Sequence, residues 1–265
     1  MRKILLMLAA LVAASCSSYN IENEDMKIIA HRGGALLGNE NTLSAFRKGI
    51  EAGADMIELD VHLTADGAVV VCHDESVDRT TDGEGRIGDM TLSDFKSVHA
   101  LDRETGEPTD ETLPTLEEAL DLIKGHADIL LEIKRSGSGQ YGGLERKVLD
   151  LVASKGMCGN VIIQSFDDCV LENVHLLAPD VRVEKLIVCR LFPGVCIDNG
   201  INSFSFEKYN FCASINSMGA FTSKRFVRDC HRAGKEVKIW TVNSPGRVVP
   251  GVDGVITNRP DLFRR

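Results

Sequence analysis

The side chains with the most chemistry in this sequence interrupt or end short apolar runs. Ile28-Ile29-Ala30 leads into His31-Arg32-Gly33-Gly34, the run 56–61 contains Glu58 and Asp60, and the run 69–72 ends in His73-Asp74. The run 129–133 carries Glu132 just before Lys134, 161–163 leads into Gln164-Ser165-Phe166, and 237–242 holds Trp240 just before Asn243. Residues two apart in a strand share a face, which pairs Glu58 with Asp60 and Glu132 with Lys134. Three carboxylates make a hard, all-oxygen donor set suited to Ca²⁺ or Mg²⁺. Two histidines suit acid and base work near neutral pH. Arg32 and Lys134 supply positive charge for an anionic group. Charge inside an apolar strand is costly unless it is paired or metal-bound. Taken singly, each residue has a plainer reading, such as a Glu58–Arg32 ion pair or a capped histidine. Their recurrence at one strand-end position points instead to metal-assisted phosphoryl chemistry.

Such a cluster needs elements that bring distant strand ends together. The apolar runs are 28–30, 56–61, 69–72, 129–133, 161–163, 183–189, a weaker one near Phe204, 237–242 and 254–256. Amphipathic helical patterns fall at 42–52, 92–98, 116–123, 144–154 and 224–233. Strands alternating with helices imply a parallel sheet. About eight such strands in a chain of this length fit a closed (β/α)₈ TIM barrel, in which strand C-termini share one mouth. The runs ending at Val61 and starting at Val69 are joined through Asp66-Gly67, too short a link for a crossover helix. A hairpin and an extended crossing both remain open there. No internal repeat or low-complexity linker divides the chain, so a single α/β domain is expected.

The chain has 265 residues, 43% hydrophobic and 26% charged, and a net charge of −9. That balance is ordinary for a globular protein. It disfavours nucleic acid as a partner, because that affinity needs clustered cations. Arg2 and Lys3 precede an apolar stretch, 4–14, too short to cross a bilayer. Small residues and Cys16 follow, the layout of a signal peptide. This resembles the bacterial lipoprotein signal, with Ala13 where that pattern prefers Leu. The expectation is a signal peptide at 1–15, a lipidated Cys16, a tether at 16–26 and the barrel at 27–265. The protein is then an exported lipoprotein of a bacterial envelope, touching membrane only through its anchor; simple secretory cleavage is the runner-up. Of eight cysteines none forms a C-x-x-C pair, which disfavours zinc. Several lie in apolar runs and read as buried small hydrophobes, and the sequence assigns no disulfide.

An ordered set of motifs then narrows the reading. They are I-I-A-H-R-G-G at 28–34, E-N-T-L-S-A-F at 40–46, I-E-L-D-V-H-L-T-A-D-G at 57–67, V-V-V-C-H-D at 69–74 and D-R-T-T-D-G-E-G at 78–85. L-P-T-L-E-E-A-L at 113–120, L-L-E-I-K at 130–134, V-I-I-Q-S-F at 161–166, W-T-V-N at 240–243 and V-D-G-V-I-T-N-R-P at 252–260 follow. In this order the set resembles the glycerophosphodiester phosphodiesterase family. The resemblance implies a (β/α)₈ barrel with a small insertion after the third strand, placed at 75–112. It implies His31 and His73 as the acid/base pair, Glu58, Asp60 and Glu132 as ligands of one divalent cation, Ca²⁺ or Mg²⁺, and Arg32 and Lys134 on the phosphate. Trp240 sits by the substrate pocket. The implied reaction is hydrolysis of a small-molecule glycerophosphodiester to an alcohol and glycerol 3-phosphate. A related phosphodiesterase acting on a phosphoinositide or lysophospholipid headgroup is the alternative, and a non-catalytic phosphate-ester-binding barrel a third. The sequence departs from the family at Asn39, where Pro is usual, and across 191–218.

Overall fold

A computed structural model describes residues 25–137 and 141–263 of the chain. The expected signal peptide, Cys16 and most of the tether lie outside the described residues. Eight parallel strands close into a barrel: β1 (Lys27–Ala30), β2 (Met56–Leu63), β6 (Asp128–Ile133), β7 (Val161–Ser165), β8 (Val183–Ile187), β12 (Ser214–Met218), β13 (Lys238–Trp240) and β14 (Gly254–Thr257). Each pairs with its neighbours in that order, and β14 returns to β1. Among the described residues, six α-helices accompany them: α1 (Leu43–Glu51), α2 (Leu92–Phe95), α3 (Leu116–Ile123), α4 (Leu144–Ser154), α5 (Asp168–Leu177) and α6 (Lys224–Arg232).

Local sequence explains the helix starts. Thr42 caps α1 by accepting from the Ala45 N–H, and Thr115 with Glu118 closes a reciprocal capping box on α3. α1 approaches the barrel through Gly49, where a Cβ would stand 2.6 Å from the Gly33 carbonyl oxygen. The main core fills the space between strands and helices, including Phe46, Leu59, Leu120 and Ile163. Inside the barrel, Ile29, Met56, Leu130 and Ile256 form a separate apolar plug on one side.

The opposite inner wall is polar. On this wall Glu184 Oε1 receives Lys238 Nζ at 2.5 Å, and Glu184 Oε2 receives Asn216 Nδ2 at 2.9 Å. Ser214 Oγ donates to Asn216 Oδ1 at 2.7 Å. Arg182 and Glu236 continue this network toward the N-terminal ends of the strands.

The short link after β2 is a hairpin: β3 (Val69–Val71) pairs antiparallel with β2, Val61 opposite Val71. The run 69–72 is therefore not a barrel strand. The insertion follows it, with its own small core of Val77, Ile87, Phe95 and Ala100 and the two-stranded sheet β4 (His99–Leu101) and β5 (Pro108–Thr112).

Two expectations are corrected. The run 183–189 is broken: β8 ends at Ile187 and β9 (Cys189–Phe192) starts a separate three-stranded sheet with β10 (Val195–Ile197) and β11 (Ile201–Ser203). The weak strand near Phe204 is absent from the barrel, and β12 takes its place. β12 reads Ser-Ile-Asn-Ser-Met, with Ser214, Asn216 and Ser217 buried among hydrogen bonds, so no apolar run announces it. α5 was also not expected. Its exposed Leu176 and Leu177 blur the apolar face set by Val170, Leu171 and Val174. The seven cysteines from Cys72 onward are free thiols, five of them buried.

Candidate active site

The site is assembled at the C-terminal ends of β1, β2, β6, β7 and β13. Parallel register does most of this work: Asp60 on β2 stands opposite Glu132 on β6, and Glu132 opposite Gln164 on β7. Glu58, Asp60 and Glu132 each bring one carboxylate oxygen within 4.8 Å of the others, and all three are buried. His31 and Arg32 leave β1 in a tight turn. Arg32, Gly33 and Gly34 have φ of 53°, 82° and 99°, and a Cβ at Gly33 would stand 2.7 Å from Phe46 Cδ1. Glycine is needed there for both reasons. The turn aims the Arg32 N–H at Glu58 Oε2, 2.8 Å away.

Both histidines are held by Nδ1. His31 Nδ1 faces Asn258 Oδ1 at 2.6 Å, and Asn258 is itself fixed by its N–H to Asn243 Oδ1 at 2.8 Å. His73 Nδ1 faces Asp74 Oδ1 at 2.6 Å. An oxygen acceptor at Nδ1 places the ring proton there and leaves Nε2 as the working end. β3 carries His73 to the mouth by running back along β2, since the Cys72 N–H bonds to the Asp60 carbonyl.

Burial and the Arg32 charge push His31 down to about 4. His73 is also lowered, by burial first, with Lys134 and Arg32 adding and Asp60 opposing. Burial, then the Asp60 and Glu132 charges, raise Glu58 well above its usual range. Burial lifts Glu132 to about 7 with Asp60 adding, against the pull of Lys134. Burial would raise Asp60 too, but Lys134, His73 and Arg32 outweigh it and hold it below the carboxylate range. Lys134 Nζ lies 2.9 Å from Asp60 Oδ1 and 2.6 Å from Glu132 Oε1. Arg32 Nη1 bonds Glu40 Oε1 at 2.8 Å, and its Nε is 3.6 Å from Asp60 Oδ2.

These observations test the fit of a cation. Three buried carboxylates converge, two are pushed toward the neutral form, and the third, Asp60, stays charged only against Lys134 and Arg32. A hard divalent cation would relieve each of these strains at once.

The cavity beside this cluster is about 250 Å³. His31, Arg32, Glu58, His73, Glu132, Lys134 and Trp240, all expected from sequence, line it. Asp60 is instead packed against Arg32, Lys134 and Asn41. Phe166 and Trp240 meet edge to face at 5.6 Å to form an apolar wall. Sequence reasoning did not assign roles to Asn41, which donates to Asp60 Oδ2 at 2.8 Å, or to Glu40, Asp74, Asn243 and Asn258. All five stood inside the quoted motifs, which was their only signal.

Buried acids that could hold a metal ion, together with paired cations and two anchored histidines at one mouth, define a class of barrel able to act on an anionic ester. Residues 31–262 match the Glycerophosphoryl diester phosphodiesterase family, and the chain belongs to that family. It is 36% identical over 241 residues to the glycerophosphodiester phosphodiesterase of Caldanaerobacter subterraneus subsp. tengcongensis, covering 89% of this chain and 95% of the relative. A phosphodiesterase of Oleispira antarctica, solved in complex with the product sn-glycerol-3-phosphate, superposes with a TM-score of 0.74 at 26% identity, covering 89% of this chain and 94% of that one. A glycerophosphodiester phosphodiesterase from Agrobacterium tumefaciens gives 0.73 at 27% identity, covering 90% and 99%.

Proposed function

We propose that this chain hydrolyses glycerophosphodiesters to an alcohol and glycerol 3-phosphate, with one Ca²⁺ or Mg²⁺ bound by Glu58, Asp60 and Glu132. The observation that carries the reading is the convergence of three buried carboxylates beside two histidines whose Nδ1 atoms are tied down. When bound, the cation supplies Lewis-acid polarisation of the phosphate and charge neutralisation. Arg32 and Lys134 present positive charge to the phosphate, and the Phe166–Trp240 wall excludes water from the apolar side. One histidine Nε2 accepts the proton of the attacking hydroxyl. The other, in its imidazolium form, donates its Nε2 proton to the departing alkoxide, so the pair ends with its proton count unchanged.

The attacking hydroxyl we propose is the glycerol 2-hydroxyl. It is tethered next to the phosphate and gains the effective concentration of an intramolecular group. Its attack forms a cyclic phosphate and releases the alcohol; water then opens the ring with the histidine roles exchanged. Purified protein should turn over glycerophosphocholine or a related diester with Ca²⁺ or Mg²⁺ and stop in chelator. A substrate lacking the 2-hydroxyl should bind and inhibit without being cleaved. Turnover of that analogue near the parent rate would replace the cyclic route by direct attack of water. Absence of turnover on every glycerophosphodiester tried, with either metal, would overturn the functional reading.

We also propose export and lipid anchoring at Cys16, supported by the short apolar stretch and the small residues before it. Cys16→Ser should move the protein from the membrane fraction to a soluble or unprocessed form. Unmodified wild-type protein in the cytoplasm would refute it.

A further inference from the structure

The insertion after β3 sends one side chain back to the mouth. Arg79 bonds the Asp74 carboxylate through Nε. Its Nη2 bonds Glu40 Oε1 at 2.7 Å, and its Nη1 bonds Glu40 Oε2 at 3.1 Å. Asp74 is the group that fixes the His73 ring. Glu40 Oε1 also takes Arg32 Nη1 at 2.8 Å, and Arg32 reaches Asp60. One guanidinium therefore bridges the two carboxylates that orient His73 and Arg32, which arrive from separate segments of the chain.

The base of Arg79 is firm. Val77 is fully buried in the insertion's own core. The backbone turns over it, with the Thr80 and Thr81 N–H groups and Thr81 Oγ1 all bonded to the Val77 carbonyl. The Arg79 side chain is nonetheless 49% exposed. Ion pairs this exposed add little stability singly, which leaves orientation as their main effect. A planar fork with fixed donors can hold two carboxylates at once, whereas an ammonium is a single point of charge.

We propose that Arg79 is a positioning residue, through which the insertion sets the His73 ring and the Arg32 guanidinium together. The proposal rests on the phosphodiesterase reading, and turnover by the parent enzyme establishes that reading before any variant is compared.

The test is kinetic, on the whole enzyme with saturating Ca²⁺ or Mg²⁺ and glycerophosphocholine. Arg79→Ala should lower kcat by roughly 10–100-fold, the range for partners that orient a working side chain. KM should change less than kcat, and the thermal midpoint should stay near the parent's. Because the position is open to solvent, added guanidinium at millimolar concentration should restore part of kcat, while sodium chloride of equal ionic strength should not. Arg79→Lys should recover little. In an Asp74→Asn, Glu40→Gln background, Arg79→Ala should cost almost nothing further, because its partners are already disabled. Parental kcat in Arg79→Ala, a loss that guanidinium does not relieve, or a full additional loss in the double-variant background would each overturn the assignment.

Discussion

The barrel interior holds two buried charged clusters, and they are finished differently. At the polar inner wall, Glu184, Lys238 and Asn216 hold one another, and every buried polar side-chain atom has a partner. At the mouth, Glu58, Asp60 and Glu132 crowd together with Arg32 and Lys134. Among the described residues, Arg32 Nε, Asn41 Oδ1 and Trp240 Nε1 are buried with no hydrogen-bond partner, and Asp60 Oδ1 has only the Lys134 ammonium, at 2.9 Å. All four belong to residues of the mouth. An unmade buried hydrogen bond costs about 1–3 kcal/mol, so the mouth is less well satisfied than the wall. A cluster complete in itself serves the fold, while one that is short of partners is suited to a ligand.

The contrast is sharpest in activity. Glu58→Ala should abolish measurable divalent-cation binding and take turnover down with it, whereas Glu184→Gln should leave the rate per folded molecule near the parent's. Calorimetry with Ca²⁺ and Mg²⁺ alongside kinetics on soluble protein checks this. Undiminished cation affinity in Glu58→Ala would erase the distinction. Next come the histidines. His31→Ala and His73→Ala should each lose roughly 10²–10⁴-fold in kcat, the usual contribution of a general acid or base, with circular dichroism unchanged. Turnover near the parent's in either would reduce that histidine to a hydrogen-bonding filler.

Stability should show the reverse order. Lys238→Met leaves Glu184 buried and short of its ammonium, which should cost about 3–5 kcal/mol. In chelator, Glu58→Gln should cost much less, because burial and its neighbours already drive Glu58 toward the neutral form. Denaturant titration of the two variants compares them directly, and equal losses would contradict the reading of the mouth as the less satisfied cluster.

The smallest effect concerns pH. His31 falls from 6.5 to about 4 in the folded protein. As pH drops through that window the unfolded chain takes up a proton that folded His31 refuses, so the parent loses stability. His31→Gln has no such group. In chelator, the gap in Tm between this variant and the parent should shift by several degrees in the variant's favour from pH 7 to pH 4.5. A gap constant with pH would show that His31 is not held neutral by its burial.

Much of this architecture was written locally. Period-two spacing put Glu58 with Asp60, and apolar strands interrupted by charge marked the mouth. The amphipathic patterns at 42–52 and 116–123 fell where α1 and α3 form, because such a pattern depends on a few neighbouring residues. Alternation of strand and helix implied the barrel. Where burial is polar, that legibility ended: β12 is a central barrel strand, yet its Asn216 bonds Glu184 on β8 and Gln164 on β7, while Ser214 bonds Asn216 and Ser217 meets Thr222. No hydrophobic pattern could encode that. The antiparallel return of β3 was likewise open, because a hairpin and a crossing differ only in what the strand pairs with. The sequence by itself determined which residues could do chemistry and the class of fold that could gather them. Tertiary structure alone decided the register setting Asp60 beside Glu132, the partners tying down each histidine, and the bridge from Arg79 to Asp74 and Glu40. Those are distances between segments remote in the chain, and they exist only once the barrel has closed.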